Sequence, residues 1–540
     1  RLFNFKYDAI ISNDIKLYVR PRHPAKYLKL NNKSIKLNKY VSGFYLNRDF
    51  KPAWLNNSGF GNRNAEELLL TINQAEMEGL NAKDYYLDEI LDLLDVIESE
   101  DYTKSPNLAK MDILLTNSFF KYSNHLLHGN PKIGTYNFDK AYVEPFVNMT
   151  RLLSKAIEKN EINKSFDKLR PKSPLYKMLM GALEKYIDIK NKGGWPTIRS
   201  GARMKVGTVD RRVSLLRKRL QITGDVKRNR FKRSTIMDGA EVNLKKLEDE
   251  NYRPPLDTFD KNLEQGVKNF QRRHNLIADG IVGETTLNVL NISVDQKIKQ
   301  IEANLNILRK LPRKLGDRYV LVNIPSFKLY AYENEKPILE MKVIVGKEDW
   351  STPIFSEEIS YLVVNPFWNI PDTILTEEFL PNLKEDPNYL NDSNIKIIGS
   401  EETIDISQFD WENFDSEQWV YKLRQDPGPS NPLGRLKFMF PNKFNVYLHD
   451  TPFKKFFDRT YRSLSHGCVR VEKPLELVDF VLKKDKKLKK EDIEKYIDSN
   501  KVRKLELTES VPVHLLYFTV WADSKNVVYF PRDIYNKLYM

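Results

Sequence analysis

Phe444-Asn445-Val446-Tyr447-Leu448-His449-Asp450-Thr451 is followed, with 15 residues between His449 and Ser465, by Ser465-His466-Gly467-Cys468-Val469-Arg470. The first segment, Phe444–His449, reads as a strand that closes on a histidine. The second holds the only cysteine of the chain, and two of its seven histidines fall within 19 residues of that cysteine. A thiol at its ordinary pKa is only a few per cent thiolate at neutral pH, and a nearby imidazole raises that fraction. Gly467 allows close backbone approach to a ligand, and the amides of Gly467 and Cys468 can serve as an oxyanion hole. The spacing therefore points to cysteine nucleophilic catalysis. The alternative is a small buried cysteine beside incidental histidines. A lone cysteine forms no internal disulfide and no thiolate zinc cluster.

Outward from this pair the periodicity is that of strands. Tyr319–Ile324 is short and apolar, and Lys328–Tyr332 and Ile338–Val345 flank Glu333-Asn334-Glu335-Lys336-Pro337 as a hairpin. Tyr361–Val364, Val511–Trp521 and Asn526–Phe530 add further strands, and helices follow Pro474 and span 490–499. Residues 377–419 carry 12 Asp/Glu against Lys384 and Lys396, a net −10 inside a chain of net +14. This composition shift marks an insertion over about 372–428, read as a lid over a groove; the alternative is an acidic surface loop without a role.

The N-terminal part reads as helical. Asn64-Ala65-Glu66-Glu67 resembles a capping box before Leu68, Ile72 and Ala75, with Gly79 as the stop. Residues 107–128 align Met111, Leu114, Leu115 and Phe119 on one helix face, and Gly193-Gly194-Trp195-Pro196 suggests a boundary. In 201–292, Val213, Leu216 and Leu220 line one helix and Leu263, Val267 and Phe270 another, with a basic loop at Lys227–Arg233 between them. The expected fold class is α+β multidomain: a mostly helical scaffold over 1–200, a small helical module over 201–292, a helical linker over 293–316 and a β-rich domain over 317–540.

The 540 residues, 30% charged and 41% hydrophobic, suffice for several cores and exclude a disordered chain or a disulfide-stapled miniprotein. No uncharged apolar run reaches membrane-spanning length. The chain begins at Arg1, so a signal peptide or anchor is expected to have been trimmed. A basic balance suits nucleic acid, an anionic membrane or an anionic polymer, and is equally a means to solubility. Lys227–Arg233 contains one aromatic, Phe231, so no nucleic-acid partner is expected. His125 and His128 lack a suitably spaced third ligand, so no metal is expected; Gly59-Phe60-Gly61 is no dinucleotide loop, and no cofactor is expected.

Taken together, the His449 segment and Ser465-His466-Gly467-Cys468-Val469-Arg470 resemble the active-site signature of the L,D-transpeptidases of YkuD type. Gln425-Asp426-Pro427-Gly428 through Gly434 and Phe438–Asn442 resemble the large periplasmic subclass with a lid insertion. Phe44-Tyr45 and Pro52-Ala53-Trp54 resemble its scaffold domain. Phe270-Gln271, His274, Asp279-Gly280, Gly283 and Thr285 resemble a three-helix peptidoglycan-binding module. The resemblance implies Cys468 as nucleophile and His449 as base, with the Asp450 carbonyl orienting the imidazole. It implies His466 and the amides of Gly467 and Cys468 as oxyanion support. Tyr447, Arg470, Trp368 and Ser465 would line the donor-peptide site. The implied reaction is 3→3 cross-linking of peptidoglycan tetrapeptide stems through a cysteinyl thioester with release of D-Ala, in the periplasm or cell envelope. Carbapenem β-lactams would form covalent adducts. Three other readings remain: an L,D-carboxypeptidase, another thiol hydrolase of papain or sortase type, and an inactive peptidoglycan-binding scaffold. In the papain order Cys precedes His, whereas here His449 comes first; a sortase usually separates the two more widely.

Overall fold

The computed structural model describes residues 2–19, 27–30, 33–55, 61–99, 106–134, 147–227, 255–390, 394–399, 403–415, 419–523, 525 and 527–538. The basic stretch Lys227–Arg233 lies outside these residues except for Lys227. The chain is an α+β multidomain protein: helices dominate the N-terminal part, and a β-rich domain follows.

The N-terminal core forms around helix α1 (Asn107–His128), nearly all of whose residues are buried. Polar groups enter this core only with partners. The Asp112 carboxylate accepts the Tyr45 hydroxyl at 2.6 Å, the Ala53 amide at 2.9 Å and the Trp54 amide at 2.8 Å, while the Trp54 indole donates to Thr116 at 2.8 Å. The Phe44-Tyr45 and Pro52-Ala53-Trp54 segments are thereby tied to one buried carboxylate. Replacing Asp112 with Ala would strand these donors in an apolar interior. The expected cost is about 3 kcal/mol, read as an earlier first transition in thermal unfolding of the full chain. His125 belongs to the same core, with Nδ1 at 2.9 Å from the Tyr85 hydroxyl.

Helix α2 (Pro174–Asn191) lies within the expected scaffold region, and α3 (Val294–Lys310) within the expected linker. Both instead pack into the core of the β-rich domain, with Leu183, Tyr186, Ile301 and Leu305 joining Val320, Val322 and Leu515. The N-terminal core itself ends at Leu169. An apolar stripe on each helix faces the sheet, which makes α3 a structural wall.

The sheet has nine strands: β1 (Arg318–Asn323), β2 (Lys328–Glu333), β3 (Lys336–Gly346), β4 (Phe355–Val364), β5 (Leu436–Met439), β6 (Leu448–His449), β7 (Ser463–Ser465), β8 (Val469–Val471) and β9 (Arg503–Leu516). The order is β7-β3-β8-β6-β5-β4-β9-β1-β2, and β3 also pairs with β2. One end of β3 thus meets β2 and the other meets β8, so the sheet curls back on itself. The β2–β3 hairpin turns at Asn334 and Glu335, both at positive φ.

Four local readings shift. The cap of the helix Arg63–Asn73 is Asn62, whose side chain accepts the Ala65 amide at 3.1 Å; Asn64 instead reaches Asn160. The strand expected over Phe444–His449 shrinks to β6, because the Asn442 side chain accepts the Phe444 amide at 3.0 Å and donates to the Val446 carbonyl at 2.7 Å, making a turn. The strand expected at Val511–Trp521 begins at Arg503 and stops at Leu516, with Trp521-Ala522 pairing separately with Val528-Tyr529. Phe530 lies just outside that last strand, and Asn526 lies outside the described residues.

The acidic insertion is folded. Trp368–Ile370, Lys422–Gln425, Ile395–Ile398 and Thr403-Ile404 make a separate four-stranded sheet. Ile374, Leu375, Leu383, Ile397, Trp411 and Leu423 form its own core. The acidic side chains lie around a framework of apolar and aromatic residues.

Candidate active site

Strand register builds the site. β6 and β8 run parallel, with Leu448 opposite Val469 and His449 opposite Arg470. Leu448 and Val469 point into the core, so alternation turns His449 and Arg470 to the opposite face. Tyr447 and Cys468, one residue earlier on each strand, share that face. Lys437 of β5 lies opposite His449 and joins them.

His449 is buried, and burial with the Arg470 charge pushes its pKa down to about 3. Its Nδ1 lies 2.6 Å from the Asp450 carbonyl oxygen. A carbonyl only accepts, so Nδ1 carries the proton and Nε2 is the basic atom. The Asp450 carboxylate accepts the Arg435 amide at 2.9 Å and the Lys454 ammonium at 2.7 Å, which fixes the turn that presents this carbonyl.

The Cys468 thiol sits 3.9 Å from the Asn445 carbonyl, with the Tyr447 side chain beside it. Burial raises its pKa, whereas Tyr447, Lys437 and Arg470 draw it back down. The Lys437 ammonium stands 3.8 Å from the Tyr447 ring centroid. Desolvation lowers the Lys437 pKa and the thiol opposes this. The Arg470 Nε is buried and makes no hydrogen bond among the described residues.

The Ser-His-Gly-Cys turn is held by short contacts. The Ser465 hydroxyl donates to the Cys468 carbonyl at 2.6 Å and accepts the Gly467 amide at 3.3 Å. Gly467 has φ 109°, which suits glycine, and its carbonyl accepts the Thr352 hydroxyl at 2.8 Å. The two expected oxyanion donors therefore differ: the Gly467 amide is engaged by Ser465, whereas that of Cys468 makes no hydrogen bond among the described residues. His466 does not point at the thiol's contacts. Its Nε2 donates to the Glu378 carboxylate at 2.6 Å, and its ring lies 3.6 Å from that of Trp350. Desolvation lowers its pKa against the pull of Glu378. Glu378 belongs to the insertion, so the insertion touches the site at this histidine. Trp368 stands at the base of the insertion, paired with Gln425 and 6.2 Å from the Phe379 ring.

Residues 317–490, which include every one of these groups, match the family model described as the L,D-transpeptidase catalytic domain, YkuD. The chain carries a YkuD-type L,D-transpeptidase domain. Residues 39–183 match a scaffold domain and residues 241–290 a "Putative peptidoglycan binding domain". A protein of Haemophilus influenzae named "Putative L,D-transpeptidase" is 39% identical over 219 residues. That alignment covers 40% of this chain and 44% of the relative, so the chain spans less than half the length of the curated relative it matches. Among solved structures, an L,D-transpeptidase from Mycobacterium smegmatis is similar at 12% identity and TM-score 0.17, over 37% of this chain and 58% of that one. Another from Stackebrandtia nassauensis reaches 15% identity and TM-score 0.21, over 59% of this chain and 96% of that one.

The residues quoted from the peptidoglycan-binding match have structural tasks. The Gln271 side chain donates to Asp279 at 2.8 Å and to the Ile281 carbonyl at 3.0 Å, and accepts the Gly280 amide at 2.9 Å. His274 stacks between Phe270 and Phe530, which docks the module on the L,D-transpeptidase domain.

The sequence reading missed Lys437, Glu378, Trp350 and Thr352. Lys437 alternates with Leu436 and Phe438 as any outward strand residue does, and Glu378 is one of 12 acids in its segment. Only register and tertiary contact distinguish them. Lys437→Met removes a cation facing the thiol while keeping the stem's bulk. The acid limb of Cys468 alkylation against pH should move to higher pH. Acylation at neutral pH should fall on the order of tenfold, about 1.4 kcal/mol. An unmoved limb would deny Lys437 this role.

Proposed function

We propose that the protein is a peptidoglycan L,D-transpeptidase that joins stem peptides by 3→3 cross-links through a Cys468 thioester. The observation that carries this reading is the His449–Asp450 contact on the strand-pair face shared with Cys468. It supports Nε2 as the proton acceptor. With the thiol raised and the imidazole neutral, the reaction starts from an uncharged pair: Nε2 takes the thiol proton as sulfur attacks. The attacked carbonyl links the third residue of a tetrapeptide stem to its terminal D-Ala. The Cys468 amide donates to the developing oxyanion. Collapse breaks the peptide bond, His449 returns the proton to the departing D-Ala amine, and the acyl group stays on sulfur. The side-chain amine of a second stem then attacks the thioester and regenerates the thiol. Arg470 and Tyr447 line the donor side, and Ser465 and Asp450 act by holding the turns. An envelope location and acylation by carbapenems follow from the same reading.

Muropeptide products formed from purified disaccharide-tetrapeptide test it. Cross-linked dimers with D-Ala release are expected. Tripeptide alone would indicate a carboxypeptidase, and unchanged substrate an inactive scaffold.

The insertion sets the balance between amine and water as acceptor, because closure over Cys468 excludes water. Replacing 372–428 with a short linker should leave Cys468 open to a small carbapenem and raise the ratio of hydrolysis to transfer several-fold. Amide exchange across the insertion should be faster than in β1–β3. An unchanged ratio together with equal protection would make it a rigid structural element.

A further inference from the structure

A cleft of about 880 Å³ is lined by none of the residues described around Cys468. Its walls come from the start of α2, the stretch Arg272–Ala278 within the peptidoglycan-binding match, the segment after α3, and β1–β3. Register sets the face that these strands present. Tyr319 lies opposite Tyr332, and Leu321 opposite Tyr330, while alternation turns Val320 and Val322 to the other face. Two stacked pairs result: Tyr319 with Tyr332 at 4.9 Å and 11°, and Tyr330 with Trp521 at 5.3 Å and 15°.

The polar atoms of these rings are unused. Among the described residues, the hydroxyls of Tyr319, Tyr330 and Tyr332 and the indole N–H of Trp521 make no hydrogen bond, although buried tyrosine and tryptophan donors ordinarily find partners. None is sealed away as a buried unpaired atom, so the cleft is where a partner for them would sit. Among the described residues, Lys172, Arg272 and Lys336 line the same cleft without ion pairs, although Lys172 donates to the Asp167 carbonyl and Arg272 to Asn269, and Glu335 and Asp458 stand among them; Lys328, Lys314 and Lys342 are paired with Glu340, Asp317 and Glu472.

A ligand that satisfies this surface offers apolar faces to flat rings, hydroxyl or carbonyl acceptors to four donors, and carboxylates to three cations. A sugar ring supplies the first two through its C–H face and its oxygens, and a stem peptide supplies the third. We propose that the cleft holds a glycan-strand segment of peptidoglycan with its carboxylate-bearing stems. This would be a second anchoring site, distinct from both the thiol groove and the residues of the peptidoglycan-binding match that hold that module together. The inference rests on the peptidoglycan reading of the protein and adds where the polymer is gripped. A strand anchored between the module and the L,D-transpeptidase domain would keep successive stems near Cys468 after each transfer.

The test uses the full chain carrying Cys468→Ala, so that no probe is consumed. The probe is a soluble fragment of two disaccharide-tetrapeptide repeats, with free tetrapeptide and neutral chitotetraose as comparators, followed by calorimetry and tryptophan fluorescence. The fragment should bind more tightly than either comparator, and added salt should weaken it. Tyr332→Ala and Lys336→Glu should each weaken it at least about fivefold. Lys336 is exposed on the hairpin, so its variant decides the matter if Tyr332→Ala disturbs the fold. Unchanged affinity in Lys336→Glu, or binding of the free tetrapeptide as tight as that of the fragment, overturns the proposal. Turnover is read in parallel with Cys468 intact: a chain that then cross-links stems, yet whose Cys468→Ala form binds the fragment independently of these residues, overturns the cleft alone. A chain that grips the fragment through the cleft but turns nothing over overturns the catalytic reading alone.

Discussion

Cys468→Ala and Cys468→Ser should each leave less than about a thousandth of the wild-type turnover, with the fold intact, since losing a covalent nucleophile typically costs at least that much. Serine is the sharper case. It keeps roughly the size and can donate toward the Asn445 carbonyl as the thiol does, but its hydroxyl is far less acidic than a thiol already raised by burial. Neutral His449 cannot make up that difference. Muropeptide turnover by each variant is the measurement, with circular dichroism to check the fold. Residual activity well above that level would move the nucleophile elsewhere, and Cys468 is the only thiol in the chain.

His449→Ala should lose between about a hundredfold and ten-thousandfold in acylation rate, the range for a positioned general base. His466→Ala should lose less, because its Nε2 is held by Glu378 and serves the insertion contact. The pH dependence separates the two histidines further. His449 is held neutral down to about 3, so it is already a competent base across the neutral range. From the uncharged thiol–imidazole pair the acylation rate should therefore be level across the neutral range and fall only in acid, as His449 takes a proton. Stopped-flow acylation by a carbapenem across pH measures both effects. Equal losses at the two histidines would contradict the assignment.

Much of this was legible in the sequence because it depends on local spacing. The β2–β3 hairpin needs only two apolar runs around a polar turn, and the His449 and Cys468 segments carry their chemistry in consecutive residues. The parts that escaped depend on tertiary register. The alternation of Leu436-Lys437-Phe438 says that Lys437 leaves the core, but not that its outward face is the one bearing the thiol. Two asparagines compete to cap the helix at Arg63, and burial of Asn64 against Asn160 settles it. Acid-rich composition hid the insertion's core, because Trp411, Leu383 and Ile397 are scattered among charges and meet only when the four strands pair. Helix α3 falls in the segment expected as a helical linker over 293–316; its buried Asn304, which accepts the Thr519 amide at 3.0 Å, shows how fully the fold encloses it.

The central claim is the thioester on Cys468, and the intact mass of the protein tests it most directly. Wild-type protein mixed with disaccharide-tetrapeptide and quenched in acid during turnover should carry one added disaccharide-tripeptide acyl group, on the peptide containing Cys468. Cys468→Ala should carry none. An adduct on another residue, or D-Ala release from active enzyme with no acyl-enzyme at any time point, would contradict the account.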